Sequence, residues 1–397
     1  MSKVPAERAQ KGSRLGRRSF CKLALANTLG AAVLLSKPAR SAESQAGTPG
    51  EAGAGANVAQ VKKALMHVGD QSFTSGSRED LEFLKRHGVD HADGGQPRYI
   101  PGQGWDLDEI LRKKEKYESF GVGLDMLHLP LDSSGIDSSQ MPNILLGKSP
   151  QRDREIADVC IMIEKAAKAG IYGLNYNLTI LPVLRTGRTQ GRGGSNYSTW
   201  IYSDAPKGPL TRAGTVTLEV FRERIAYFLE RVVPVAAEHK VRMACHVADP
   251  GTVPGYRGID RALGTVDGLK HFIETSPSPY HGLNLCIGSS AEMLEDPAAE
   301  TYDVVRYFGE RKKIFNVHLR NIRGRRDNFQ EVYPDNGDVD MYRVVKVLRD
   351  VEYPYMIMPD HAPQHPDDPG GRQAFAFAFG YIKAMIQASN SLTDSAR

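Results

Sequence analysis

Residues 241–249 read Val241-Arg242-Met243-Ala244-Cys245-His246-Val247-Ala248-Asp249. An apolar run of strand length ends on a histidine and then on a carboxylate. Short apolar runs closed by polar residues read as buried strands. The same layout recurs downstream, in Leu285-Cys286-Ile287-Gly288-Ser289, in Val317-His318-Leu319-Arg320-Asn321 and in Met358-Pro359-Asp360-His361. Working outward from these, eight runs emerge: 65–69, 88–93, 121–129, 172–178, 241–249, 283–288, 314–322 and 353–361. Amphipathic helical patterns separate them, among them 106–120, 152–169, 218–239, 301–310 and 341–349, and a last one near 372–389 follows the eighth run. Asp106 and Asp340 stand where N-caps belong.

Strand and helix alternating eight times predicts an α/β fold, a single (β/α)8 TIM barrel. An open doubly wound sheet is the competing architecture. It would place a glycine-rich phosphate loop after the first strand, and Gly69-Asp70-Gln71 is not one. Connections entering strands are short (His87-Gly88, Phe120-Gly121, Ala169-Gly170). Several leaving strands are long, at 179–217, 250–263 and 323–339. A barrel enzyme builds its site from the loops after its strands, so these insertions are expected to form lids and substrate walls.

In a closed barrel, the ends of strands five to eight are neighbours on one rim. His246, Cys286, His318 and Asp360 would therefore converge without any local spacing motif. Two imidazoles, a thiolate and a carboxylate suit one first-row divalent metal, and sulfur favours zinc or iron(II) over manganese(II). His361, next to Asp360, is placed for general acid or base work or to orient a ligand. Arg320 lies two residues past His318, on the same strand face, and is expected to face the site. Its guanidinium would suit a small anionic substrate. Asn175 and Asn177 alternate with Tyr176, so the asparagines share one face and the tyrosine takes the other.

At these residues the chain resembles the mannonate dehydratase family, within the xylose-isomerase-like barrels, over roughly residues 61–388. The resemblance is carried by Tyr176-Asn177, Cys286-Ile287-Gly288-Ser289, His318-Leu319-Arg320-Asn321, Gly337-Asp338-Val339-Asp340-Met341-Tyr342 and Pro359-Asp360-His361. It implies manganese(II) or iron(II), with zinc(II) as the alternative, held by His246, Cys286, His318 and Asp360. It implies His361 as the catalytic residue and Asn177, Asp249, Arg320 and Asn321 as substrate-binding residues. The implied reaction is loss of water from a sugar acid, D-mannonate or a related aldonate, giving a 2-keto-3-deoxy acid. A sugar isomerase or epimerase on the same barrel, and a binding protein without turnover, are the alternatives.

The sequence also departs from the family. Ala248 stands where a first aspartate is usual, Met358 where an arginine is, and Ala362 where a glycine is. Residues 370–375 lack the family's tyrosine. Either Arg185 or Arg188 could match the family's Arg-Thr.

The chain has 51 Lys and Arg against 47 Asp and Glu, a net charge of +4. Nine of those bases and one acid, Glu7, fall in residues 1–42, leaving 42 bases and 46 acids in the remainder. The body is acidic, so net charge gives no case for a nucleic-acid partner. Arg14-Leu15-Gly16-Arg17-Arg18-Ser19-Phe20-Cys21-Lys22 resembles a twin-arginine export signal. An apolar run at 23–35 and a small-residue site at Ala39-Arg40-Ser41-Ala42 follow. The expectation is a signal peptide at 1–42, a flexible linker at 43–60 and the catalytic barrel at 61–397. A periplasmic or otherwise exported mature protein with no membrane span would result. A homo-oligomer is left open. Without Cys21, three cysteines remain, an odd number that argues against a disulfide framework. Cys160 and Cys245 are expected to be small buried apolar residues.

Overall fold

The computed structural model describes residues 62–391, so the expected signal peptide and linker lie outside the described residues. Eight parallel strands close a barrel: β1 (His67–Asp70), β2 (His91–Asp93), β3 (Gly123–His128), β4 (Gly173–Asn177), β5 (Arg242–His246), β6 (His281–Cys286), β7 (Ile314–His318) and β8 (Met356–Met358). Strands adjacent in sequence are adjacent in the barrel, and β1 pairs with β8 to close it. This is the (β/α)8 fold that the alternation predicted.

The outer helices start where their caps dictate. The side chains of Ser77, Asp106, Ser149, Thr217, Thr265, Asp296 and Asp340 each accept a backbone N–H from the first helical turn, satisfying donors that the helix cannot. The short returns into β2, β3 and β4 use Gly88, Gly121 and Gly170 at φ of 68–71°. That left-handed conformation stops a helix at no steric cost to glycine. One apolar shell packs helices against strands. A small cluster of Met126, Ala244, Phe315, Met356 and Met358 plugs the barrel interior.

The long loops after β4 and β7 do more than line the rim. They fold together into a four-stranded antiparallel sheet of Gly187–Gln190, Asn196–Ile201, Asn321–Arg325 and Asn328–Val332. Trp200 and Phe329 are register partners in it and both are buried. The run at 314–322 is therefore not one strand. The barrel strand ends at His318, and the chain turns at Leu319-Arg320 into this cap sheet. Likewise Asp249 and Asp360 stand in loops beyond β5 and β8. Cys245 is fully buried, whereas Cys160 is only half-buried, and both are free thiols. Among the described residues, no helix is long and apolar enough to cross a membrane.

Candidate metal centre and active site

Strand register brings the four predicted ligands together. Cys286 on β6 pairs with His318 on β7, His318 pairs with Met358 on β8, and Asn284 of β6 pairs with His246 on β5. Asp360 follows Met358 by two residues. One donor atom from each of His246, Cys286, His318 and Asp360 lies within 4.8 Å of the other three. His246 Nδ1 lies 2.6 Å from the Val247 carbonyl oxygen, which leaves Nε2 for the centre. His318 Nδ1 is 3.4 Å from Asp360 Oδ1, is buried, and has no hydrogen-bond partner. If this nitrogen takes a metal, Nε2 carries the proton and needs an acceptor. Asn284 Nδ2 stands 3.0 Å away; turning this amide about would put Oδ1 there as the acceptor, at the expense of the Nδ2 bond to Asn175 Oδ1.

Burial opposes ionisation of the Cys286 thiol. The Arg320 guanidinium and the imidazoles of His246 and His318 outweigh it, and the thiol is held well below its ordinary range. Asp360 is likewise kept ionised against burial by His361, His318 and Arg320. A thiolate, a carboxylate and an orphaned imidazole nitrogen pointing at one centre fit a divalent cation.

Behind this centre lies a buried lattice of charges. Arg320 reaches Asp249 Oδ2 at 2.9 Å, Ser289 Oγ at 2.7 Å, Glu292 Oε1 at 3.1 Å and Asp360 Oδ2 at 3.2 Å, and it also pairs with Glu331. Arg185 bonds Asp249 Oδ1 at 2.6 Å and also pairs with Glu331. Gly288 makes room, since a Cβ there would come within 2.7 Å of Arg320 Nε.

These contacts correct two expectations. Arg320 is 2% exposed and surrounded by carboxylates, so it is placed to orient the four candidate donors and not to receive substrate. Asn321 is also buried. Its Nδ2 donates to the Pro334 and Val339 carbonyls and its Oδ1 accepts from backbone N–H groups, which clamps the cap loop. The Arg320 assignment rested on the strand continuing past His318, and that of Asn321 on the family resemblance. Of the two arginines after β4, Arg185 joins the site, while Arg188 is bonded to Gln364 at the surface.

The open cavity, about 230 Å³, is lined by His246, His318, Asp360, His361, Asn177 and Asp249, and also by Gln71, His128, Asp132 and Asn175. Typical ligand pockets run roughly 300–1,000 Å³, so the occupant is small. His361 sits at the edge. Burial lowers its basicity, but Asp360 and Glu331 reverse this and push it up to about 9. Its Nδ1 is 3.3 Å from Glu331 Oε1 and its Nε2 is 3.3 Å from Asp360 Oδ1. His128 lies on the opposite arc of the barrel, at the end of β3, with Nε2 2.7 Å from the buried Asp93. Sequence reasoning missed Gln71, His128, Glu292 and Glu331. His128 does close an apolar run, as His246 and His318 do, and that signal was available. Glu331 comes from the cap sheet and had no such mark.

A closed parallel barrel with a His, Cys, His and Asp donor set at its C-terminal rim has the xylose-isomerase-like fold and a set of residues that could hold a divalent metal. A xylose isomerase domain protein from Planctomyces limnophilus shares the fold at a TM-score of 0.54, with 12% identity over 84% of this chain and 100% of that one. Closer likenesses are more specific. The family description D-mannonate dehydratase (UxuA) matches residues 206–394. The mannonate dehydratase of Thermotoga neapolitana is 28% identical over 298 residues, 66% of this chain and 78% of that one. The crystal structure of mannonate dehydratase from Streptococcus suis serotype 2 superposes with a TM-score of 0.72, with 25% identity over 82% of this chain and 94% of that one. By sequence and by fold the chain is similar to mannonate dehydratases, which are hydro-lyases.

Proposed function

We propose that the protein removes water from D-mannonate or a closely related aldonate, using one divalent ion held by His246, Cys286, His318 and Asp360. The observation that carries this reading is the convergence of those four donors, within 4.8 Å of one another, on the wall of a small polar cavity. When bound, the ion would polarise substrate oxygens beside C2 and stabilise the charge that develops as the C2 proton leaves. Manganese(II) or iron(II) is proposed from the family resemblance, and the Cys286 thiolate keeps zinc(II) as the alternative.

The chain's own residues handle the protons. His361 carries one at neutral pH and faces the cavity, so it serves as the acid that protonates the departing C3 hydroxyl. His128, oriented by Asp93, is the candidate base for the C2 proton. The C3 hydroxyl leaves as water with the His361 proton, and the C2 proton stays on His128. The enol that remains takes a proton at C3 from His128 and returns its C2 hydroxyl proton to His361, giving the 2-keto-3-deoxy acid. Asn177 and Gln71 offer amides to substrate hydroxyls at the cavity wall. Asp249, bonded to Arg185 and Arg320, positions the charged lattice.

The loss of a carboxylate at Ala248, and the absence of tyrosine among the cavity-lining residues, favour a second reading as a sugar isomerase or epimerase. Product mass separates the two. Incubation of the purified protein with five- and six-carbon aldonates and manganese(II), iron(II) or zinc(II) should yield a 2-keto acid lighter by one water. Products of unchanged mass would replace the dehydratase reading with the isomerase one.

Export by the twin-arginine route is proposed from residues 14–22 and the cleavage site near Ala42. Exchange of Arg17 and Arg18 for lysine should leave the precursor in the cytoplasm. Normal processing of that variant would reject the assignment.

A further inference from the structure

A second group of metal-type ligands sits at the other end of the barrel. His67 opens β1, His91 opens β2, and Asp125 is the third residue of β3. Register places His91 opposite Gly69 on one side and Gly123 on the other. Side chains two apart share a strand face, so His67, His91 and Asp125 all share one. That face looks inward, because a Cβ at Gly69 would strike Met356 of the interior plug. A Cβ at Gly123 would come within 3.1 Å of Asp125 Oδ1 and 3.5 Å of His91 Nδ1.

The three side chains converge closely. Asp125 Oδ2 is 2.8 Å from His91 Nδ1 and 3.6 Å from His67 Nε2. The two rings lie 3.7 Å apart, centre to centre. One donor atom from each residue falls within 4.8 Å of the other two. His67 Nε2 has no contact with solvent and no hydrogen-bond partner. One carboxylate shared by two adjacent, mutually tilted imidazoles satisfies one ring and leaves the other short of a partner. Ligand atoms about 2.0–2.2 Å from a tetrahedral zinc ion stand roughly 3.3–3.6 Å apart, so the 3.6 Å pair already has that spacing and Asp125 would draw back from His91 Nδ1 to seat an ion. A cavity of about 270 Å³, lined by Met66, His67, Asp90 and His91 among others, opens beside the group and gives an ion and a water ligand access.

We propose that His67, His91 and Asp125 form a second divalent-metal site, suited to zinc, at the N-terminal mouth of the barrel and separate from the catalytic centre. Conserved chemistry at this face of a barrel serves stability. An ion here would tie the first three strands together at the end opposite the active site.

The test is a titration of the metal-stripped, full-length mature protein with cobalt(II) and zinc(II). Two equivalents should bind. The Cys286→Ala/His318→Ala variant should keep one, with d–d bands but without the sulfur-to-cobalt charge-transfer band. The His67→Ala/His91→Ala variant should bind one equivalent, with that charge-transfer band intact, and should keep its turnover with saturating manganese(II). Asp125→Asn is the gentler second variant and should weaken the second equivalent at least about tenfold, as loss of a charged ligand does. A single equivalent in the parent protein would overturn the proposal. So would two equivalents in the folded His67→Ala/His91→Ala variant, or an unweakened second equivalent in Asp125→Asn.

Discussion

Arg320 Nη2 lies 3.6 Å from the sulfur of Cys286, one of the four candidate metal donors. The guanidinium favours the thiolate while its remaining N–H groups engage Asp249, Glu292, Glu331 and Asp360. The ligand set and the charged lattice behind it are thus one electrostatic unit. Arg320→Lys keeps a charge but loses the planar fork. It should raise the Cys286 thiol pKa, read from thiolate absorbance against pH, and weaken metal binding at least about tenfold. Arg320→Met should be far more damaging, because it strands several buried carboxylates at a cost of about 3–5 kcal/mol. An unchanged thiol titration in the lysine variant would break the link between Arg320 and the metal site.

Cys286→Ser exchanges a soft ligand for a hard one while keeping the side chain's size. Zinc affinity should fall much more than manganese affinity, since thiolate selects the softer ion. Competition titrations with both ions measure this. Equal losses for the two would mean that the sulfur does not bind the ion.

The two non-ligand histidines of the cavity should each matter to turnover without controlling metal content. His361→Asn and His128→Gln should lower kcat by about 10²–10⁴, with metal content by elemental analysis unchanged. His361 acts in its protonated form, so the rate should fall as pH rises through its pKa. That pKa is about 9 in the metal-free protein, and an ion on Asp360 removes part of the support and brings the limb lower. Glu331→Gln removes another part, so its limb should move lower still. A limb that stays in place would assign the titration to another group.

How much of this was legible in the sequence differs from residue to residue. His246, Cys286, His318 and Asp360 could be brought together because barrel closure alone makes consecutive strand ends neighbours. Caps such as Asp106 and Asp340 were legible because their bonds are local. Arg320 was misread because the pattern at 314–322 stays strand-like across the break at His318. A period of two records alternation, not the sheet to which a residue belongs. Glu331 and Arg185 reach the site only because two distant loops pair into the cap sheet, a contact that neither loop announces by itself.

At the far end of the barrel, the metal-free protein should show a pH dependence centred on His91 and Asp125. Hydrogen bonding to Asp125 raises the His91 pKa above its ordinary 6.5, burial notwithstanding. The stability this gives is complete below 6.5 and is lost as pH rises through the folded value. Asp125 is desolvated, yet His67 and His91 depress its pKa. Its contribution is complete above the ordinary 3.8 and is lost as pH falls toward the folded value. Asp125→Asn should therefore flatten the stability profile on both sides, measured by urea unfolding of the metal-free protein. A profile parallel to that of the parent would show that the pair contributes nothing to folding.

The returns into β5, β7 and β8 supply a stability prediction independent of the site. Lys240, Lys312 and Glu352 adopt φ of 57°, 54° and 57° at the end of their helices, where Gly88, Gly121 and Gly170 serve the earlier returns. An L-residue with a Cβ pays roughly 1–2 kcal/mol for that conformation, partly offset because glycine is freer when unfolded. Lys312 bonds the Val351 carbonyl and Glu352 pairs with Lys62, so replacing either also removes a contact. No side-chain contact of that kind is found for Lys240 among the described residues. Lys240→Gly should therefore stabilise the barrel by up to about 1 kcal/mol, a rise of a few degrees in Tm at this chain length. Lys312→Gly should gain less. The order of the two variants is the decisive reading, because relief of backbone strain alone would make them equal.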